Sequence, residues 1–332
     1  MKALVYEKAH NLDSFAIQLV DIVEPTLRDS DVLVDVRAIG INPGEAFIRK
    51  TRSATPGGRV LLGWEFAGVV IGAGPAVQSF KTGDRVFGTG DMSRDGAWAE
   101  RLAVDHRILA KVPDELSFVD AASLPIGAIT AWEAVFRDQD VLPAGVDCVL
   151  IVGGAGAVGS IATQLLKAKT KAFVIGTASR LPSSEWCREM GADLVIDHTR
   201  NIEKQLASAQ IPQVDMVLST ANTAGNLPWI ANLLRPFGHL SVVDVSPVLD
   251  ANILMSKSAS VHMEMVFSRI LHGSDFHRQG SILDAVAGLV VKERMRPIAV
   301  TRLAGLTSET MREAHELIET TRTIGKVVIA TD

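Results

Sequence analysis

The stretch "CVLIVGGAGAVGS", residues 148 to 160, constrains the fold more than any other part of the chain. An unbroken apolar run, as a strand buried on both faces requires, passes straight into Gly154-Ala155-Gly156-Ala157-Val158-Gly159, and residues with helical spacing follow. GxGxxG alone is a weak signal, but between a strand and a helix it is a strong one. The glycines permit a tight turn, let the backbone approach a pyrophosphate, and seat that group on a helix N-terminus. The alternative is a glycine-rich turn that serves packing only. The dinucleotide reading predicts a doubly wound parallel sheet, and the neighbouring sequence has that alternation. "AFVIGT", "DLVIDH", "VDMVLST" and "HLSVVDV" read as strands. "AVGSIATQLLKAK", "SSEWCREMGA" (ending at Gly191) and "AGNLPWIANLLRPFG" read as helices.

Sites for NAD usually carry an acidic residue at the end of the second strand, where it holds the ribose 2′-hydroxyl. Here that place reads Thr177, Ala178, Ser179, Arg180, and the first acid is Glu185. Arg180 can pair with a 2′-phosphate and Ser179 can donate to it. The expected cofactor is therefore NADPH. The other possibility is that Arg180 is a solvated loop charge. Val243, Asp244 and Val245 fall at the C-terminal end of a parallel strand, where ligands bind in such sheets.

Residues 1–121 are different in texture. Short alternating runs ("KALVY", "DVLVDVRAIGI", "FAGVVIGAG", "DRVFGTG", "AWAERLAV") are punctuated by Gly, Pro and Asp, as antiparallel strands with turns are. After Met263 the pattern is mixed, with two amphipathic helices and a closing strand, "GKVVIA". A length of 332 residues favours two domains. The expected division is an α/β nucleotide-binding domain, 122–262, inserted into a β-rich domain made of 1–121 and 263–332. The net charge of -5 carries no basic stripe, which argues against nucleic acid. No apolar run approaches the ~18 residues of a membrane span, and no signal-peptide core opens the chain. A cytoplasmic location is expected. Cys148 and Cys187, the two cysteines, have no metal spacing. His272 and His277 lack an accompanying acidic or cysteine cluster and read as solvent-side loop residues. Glu45 and Arg49, four apart, are expected to form a local ion pair.

Over nearly its full length the chain resembles the medium-chain dehydrogenase/reductase superfamily. The matching stretches include "GINPGEAFIR", "LGWEFAGVV", "FKTGDRVFG", "GAWAERLAV", "AASLPIGAITAWEAV", "IVGGAGAVGS" and "LIETTRTIGKVVI". The branch it is most similar to is the quinone-oxidoreductase-like one, with zeta-crystallin-type reductases, although "SASVHMEMVFSR" resembles bacterial proteins labelled zinc-binding alcohol dehydrogenases. The resemblance implies a GroES-like catalytic domain beside a Rossmann NADP-binding domain, in a homodimer. It implies NADPH-dependent reduction of small quinones or α,β-unsaturated carbonyls. In zinc-bearing relatives the catalytic ligands fall at the positions of Asn42, Trp64 and Ile126, none of which suits Zn²⁺, so no metal is expected. By the same resemblance Asn42 contacts substrate or the nicotinamide ribose, Thr130 lies near the nicotinamide, and Lys326 lies close to the cofactor. The alternative for Asn42 is that it shapes the turn before Pro43. Trp64 reads as an aromatic wall at the substrate or packing behind it. Phe47 replaces a tyrosine of some quinone reductases and, with Ile126 and Met265, is expected at the substrate pocket. Met263, Met265 and Phe267 are expected to alternate on one strand, lining a pocket or a dimer seam. A zinc-type alcohol dehydrogenase and a non-catalytic NADPH-binding protein are the competing readings.

Overall fold

A computed structural model describes residues 1–331. The chain divides into two compact units, one of residues Met1–Ile126 together with the segment from Phe267 onward, the other Gly127–Val266. In chain order the first 126 residues give β1 (Lys2–Val5), β2 (Gln18–Asp21), β3 (Asp31–Ile41), α1 (Pro43–Thr51), β4 (Glu65–Ala73), β5 (Arg85–Thr89), β6 (Arg101–Asp105), β7 (Leu109–Lys111) and a short α2 (Phe118–Ala121). Helix α3 (Pro125–Phe136) follows. The next segment gives β8 (Cys148–Val152), α4 (Ala157–Lys169), β9 (Phe173–Thr177), α5 (Leu181–Glu189), β10 (Leu194–Ile196), α6 (Ile202–Ser208), β11 (Val214–Ser219), α7 (Thr223–Leu233), β12 (Leu234–Val242) and β13 (Ser260–Met263). The tail gives α8 (Ser268–Leu271), α9 (His277–Val291), β14 (Ala299–Ala304), α10 (Ser308–Glu319) and β15 (Lys326–Ala330).

The second unit is a six-stranded sheet in the order β10-β9-β8-β11-β12-β13, parallel throughout. The strand order reverses between β8 and β11. In sheets of this type ligands bind at such a reversal, beyond the carboxyl ends of the strands. The continuous apolar runs are explained by burial on both faces. Val149, Leu150 and Ile151 of β8 and Met216, Val217 and Leu218 of β11 are fully buried. Helix α4 packs Ile161, Ala162, Leu165 and Leu166 inward and ends with Lys167 and Lys169, cations suited to the negative end of the helix dipole.

In the first unit a seven-stranded sheet runs β14-β15-β3-β4-β5-β7, with β6 also paired to β3. The 11-residue β3 is long enough to hold two partners along one edge. Asp31–Asp35 pairs with β6 and Ala38–Ile41 pairs with β15. Apart from the parallel β14–β15 pair, these ladders are antiparallel. The tail therefore supplies two strands to a sheet whose first strand in chain order is β3.

The structure corrects several expectations. Met265 and Phe267 do not share a strand with Met263, because β13 ends at Met263 and Phe267 caps α8. The segment "LRPFG" is strand rather than helix: the backbone is already extended at Leu234, ahead of Pro236. His277 opens α9 instead of lying in a loop, and its ring centroid is 6.3 Å from that of His106. Glu45 and Arg49 do not pair. Arg49 is fully buried and pairs with Glu319 of α10, while Glu45 turns to backbone amides. One helical stretch, Phe118–Phe136, is long and apolar enough by composition to cross a membrane, although Asp120 and Glu133 interrupt its apolar run. Of its most apolar window, 78% is buried inside the fold, as in a core helix.

Candidate functional site

In the second unit the glycine-rich turn joins β8 to α4 at the strand-order reversal. Each glycine answers a separate steric demand. Gly153 has φ +77°, in the left-handed region that glycine favours. A Cβ on Gly159 would lie 2.3 Å from the Gly153 carbonyl oxygen, and one on Gly154 would lie 3.0 Å from Cys187 Sγ. A Cβ on Gly156 would meet nothing nearer than 3.5 Å. Gly153, Gly154 and Gly159 thus let the turn close, whereas Gly156, at the start of the helix, leaves a Cβ at ordinary contact distance. There the backbone N–H groups of Ala157, Val158 and Gly159 have no intrahelical acceptor and form a natural anion seat. Ala155 and Cys187 pack beneath the turn, and burial pushes the Cys187 thiol up to about 11.

The end of β9 approaches the same turn. Thr177 is buried, its Oγ1 accepts the Gly153 N–H at 3.0 Å, and its carbonyl accepts the Gly154 N–H at 3.2 Å. Its side chain therefore braces the turn rather than facing outward. Ser179 and Arg180 are exposed, with Arg180 at the N-cap of α5, and Ser183 Oγ accepts the Arg180 N–H at 3.2 Å. Val243 and Val245 lie just past the end of β12, with Val245 86% exposed. Asp244 between them accepts the Thr223 N–H at 2.9 Å, which anchors α7. Thr130 is buried on α3.

In the first unit the expected residues gather around a buried charge cluster. Asn42 follows β3 in extended backbone, as the residue before Pro43 favours, and caps α1. Glu45 Oε2 accepts the Asn42 N–H at 2.8 Å and Oε1 accepts the Trp64 N–H at 3.0 Å, so one carboxylate ties the start of α1 to the segment entering β4. Burial, the largest influence, pushes Glu45 up to about 7 against those two hydrogen bonds and the Lys326 charge. Glu65 is fully buried. Its Oε1 accepts the Ile126 N–H at 2.9 Å, and its Oε2 accepts from Asn42 Nδ2 at 3.0 Å and from the Lys326 ammonium. Lys326 also donates to Asn42 Oδ1. A Cβ on Gly40 would lie 2.7 Å from Glu65 Oε2, so the bare strand there makes room for the carboxylate. Trp64 is 3% exposed and meets Phe267 edge-on at 5.6 Å between ring centroids. Phe47, on α1, is 57% exposed; Met265, in the second unit, is 47% exposed.

Sequence reasoning grouped Asn42, Trp64 and Ile126 and named Lys326 apart from them; in the structure all four lie on one cluster. It missed Glu65 as the hub. The available signal was an acid heading an otherwise apolar strand, "EFAGVV", since carboxylates are rarely buried without partners. Among the described residues no group of three or more His, Cys, Asp or Glu side chains is placed to hold a metal ion.

Residues 28–114 match the alcohol dehydrogenase GroES-like domain family and residues 190–329 match the zinc-binding dehydrogenase family. A zinc-type alcohol dehydrogenase-like protein of Staphylococcus aureus is 35% identical over 336 residues, covering 99% of each chain. An NADPH-dependent alkenal/one oxidoreductase of Arabidopsis thaliana chloroplasts is 34% identical over 260 residues, 73% of this chain and 66% of that protein. The solved structure of a Rhizobium etli protein, described as a candidate zinc-dependent alcohol dehydrogenase, superposes with a TM-score of 0.96 at 35% identity. That match covers 100% of this chain and 98% of the other.

Proposed function

Because this chain belongs to the medium-chain dehydrogenase/reductase family, among relatives of zinc-type alcohol dehydrogenase-like proteins, we propose that it is an NADPH-dependent reductase of α,β-unsaturated carbonyl compounds and quinones that needs no catalytic zinc. One observation carries the reading. Where zinc-bearing relatives place their ligands, this chain has an amide, an indole and an alkyl group, and the Lys326 ammonium already binds the amide oxygen of Asn42. Zinc takes thiolate, imidazole or carboxylate, and a fixed cation beside the amide repels a second one. These residues do not fit zinc. The carboxylates at hand are already engaged, Glu65 by Ile126, Asn42 and Lys326 and Glu45 by the Asn42 and Trp64 backbone amides.

A nicotinamide cofactor fits the second unit. The first N–H groups of α4 would seat its diphosphate beside Gly156, and Arg180 with Ser179 would meet a 2′-phosphate. When bound, the reduced cofactor supplies a hydride. Asn42 supplies a neutral hydrogen-bond donor to the substrate oxygen. That is enough for acceptors whose developing negative charge spreads over a conjugated system, and too little for an isolated ketone, which needs a stronger Lewis acid. The relative that acts on alkenals and alkenones supports the same substrate class.

The test is NADPH oxidation with a panel of enones and quinones in chelator-treated buffer, beside a zinc assay of the same preparation. Turnover at zinc contents far below stoichiometric is expected. Near-stoichiometric zinc with activity lost to chelator overturns the reading. We also propose a homodimer through β13. This strand ends the six-stranded sheet and carries half-exposed Met263, with Met265 beyond it. Sedimentation at twice the chain mass is the expected result.

A further inference from the structure

Asn42, Glu65 and Lys326 form a closed triangle. Glu65 Oε2 accepts from Asn42 Nδ2 at 3.0 Å and from Lys326, and Lys326 donates to Asn42 Oδ1. Glu65 is 0% and Lys326 is 2% exposed, while Asn42 is only partly buried. A buried ion pair gives little net stability over an apolar pair of the same size, because desolvation offsets the attraction. Its effect on the third member is more specific. An amide held between a carboxylate and an ammonium has one favoured orientation, nitrogen toward the carboxylate and oxygen toward the ammonium. The flipped amide would set oxygen against oxygen and N–H against N–H. After these bonds Nδ2 keeps one unused N–H. Asn42 is also the only member of the triangle that is not fully buried. Its backbone N–H is held independently by Glu45 at 2.8 Å.

We propose that Glu65 and Lys326 are positioning residues that lock the Asn42 amide so that its second Nδ2–H faces the substrate oxygen. They act through Asn42 and touch no reacting atom. The assignment rests on the function proposed above for the substrate contact, whereas the orientation itself is independent of it.

Two measurements test this. The first is a mutant cycle with Glu65→Gln, Lys326→Met and Asn42→Ala, read as kcat and KM for an enone and for NADPH. Glu65→Gln and Asn42→Ala should each lower kcat by about tenfold or more with little change in the KM for NADPH, and combined they should be no worse than Asn42→Ala alone. Losses that multiply in the combined variant would mean a merely structural role and overturn the proposal. Should a single variant leave a bare buried charge and fail to fold, Glu65→Gln with Lys326→Met removes both charges together and takes its place. The second is the side-chain NH₂ signal of Asn42 in protein labelled with ¹⁵N-asparagine, assigned by its loss in Asn42→Ala. Two widely separated proton shifts are expected, collapsing toward the ordinary range in the double variant. An Asn42 signal untouched by removal of both charges overturns the positioning. A wild-type protein that turns over no enone or quinone overturns the proposed function instead, and the NMR result stands apart from it.

Discussion

Glu45 shows how a single side chain can hold a site together and set its pH response. Its folded-state pKa is raised from 4.5 to about 7, so folding favours the protonated form. That contribution is complete below about pH 4.5 and is lost as pH rises through about 7, by up to about 3 kcal/mol. Relative to a Glu45→Gln variant, the wild type should lose stability between about pH 5 and pH 8 in urea titrations, and parallel curves would show a carboxylate ionised throughout. His315 has the opposite sign. Burial and the neighbouring Arg49 hold it near 3, so its contribution is present above about pH 6.5 and lost as pH falls. At the other unit, Arg180→Ala should raise KM for NADPH about tenfold or more and leave KM for NADH nearly unchanged. Equal effects on both cofactors would remove the 2′-phosphate contact. Residue types at Asn42, Trp64 and Ile126 were legible in the sequence. The partners were not. Glu45 lies four residues from Arg49, yet each found a better partner: Arg49 lies against Glu319, 270 positions on, and no local spacing rule reports that.

At the scale of elements, the glycine-rich turn separates packing from binding. Gly159→Ala places a methyl group 2.3 Å from a backbone oxygen that cannot move without opening the turn, so it should unfold the second unit or cost several kcal/mol. Gly156→Ala has 3.5 Å of clearance and should fold normally while binding NADPH much more weakly. Melting temperature and fluorescence titration of the two variants distinguish these outcomes, and equal destabilisation would show that Gly156 too is a packing glycine. Strands and helices at the centre of this region were readable because both faces of β8 and β11 are buried, leaving continuous apolar runs. The boundary of "LRPFG" was not, since Leu234 continues the apolar pattern of α7 while the backbone has already left the helix. Nor was the end of β13, where Met265 keeps a strand-like alternation beyond the last paired residue.

Across the whole molecule, composition and alternation of texture made the architecture legible, because an α/β sheet and an antiparallel one leave different periodicities. Strand order in the first sheet was not legible, since it depends on pairings between residues distant in sequence. Two links bind the tail into the first unit. Arg49 of α1, fully buried, donates to His315 Nδ1 at 3.2 Å and pairs with Glu319 of α10. Arg49→Ala should cost about 3 kcal/mol in urea unfolding, at the low end for a broken buried pair, because Glu319 keeps Lys50 as a partner. A loss below 1 kcal/mol would show that α1 and α10 are held by their apolar contacts alone. The other link is β15, set between β14 and β3. During synthesis, the Ala38–Ile41 edge of β3 is made well before its partner β15, with the entire second unit translated in between. At ordinary elongation rates that interval lasts on the order of tens of seconds. Throughout it a nascent chain carries an unpaired apolar strand edge, a template for association with other nascent chains. The second unit, continuous in sequence, can mature in the meantime, and the first must be shielded until its closing strand arrives.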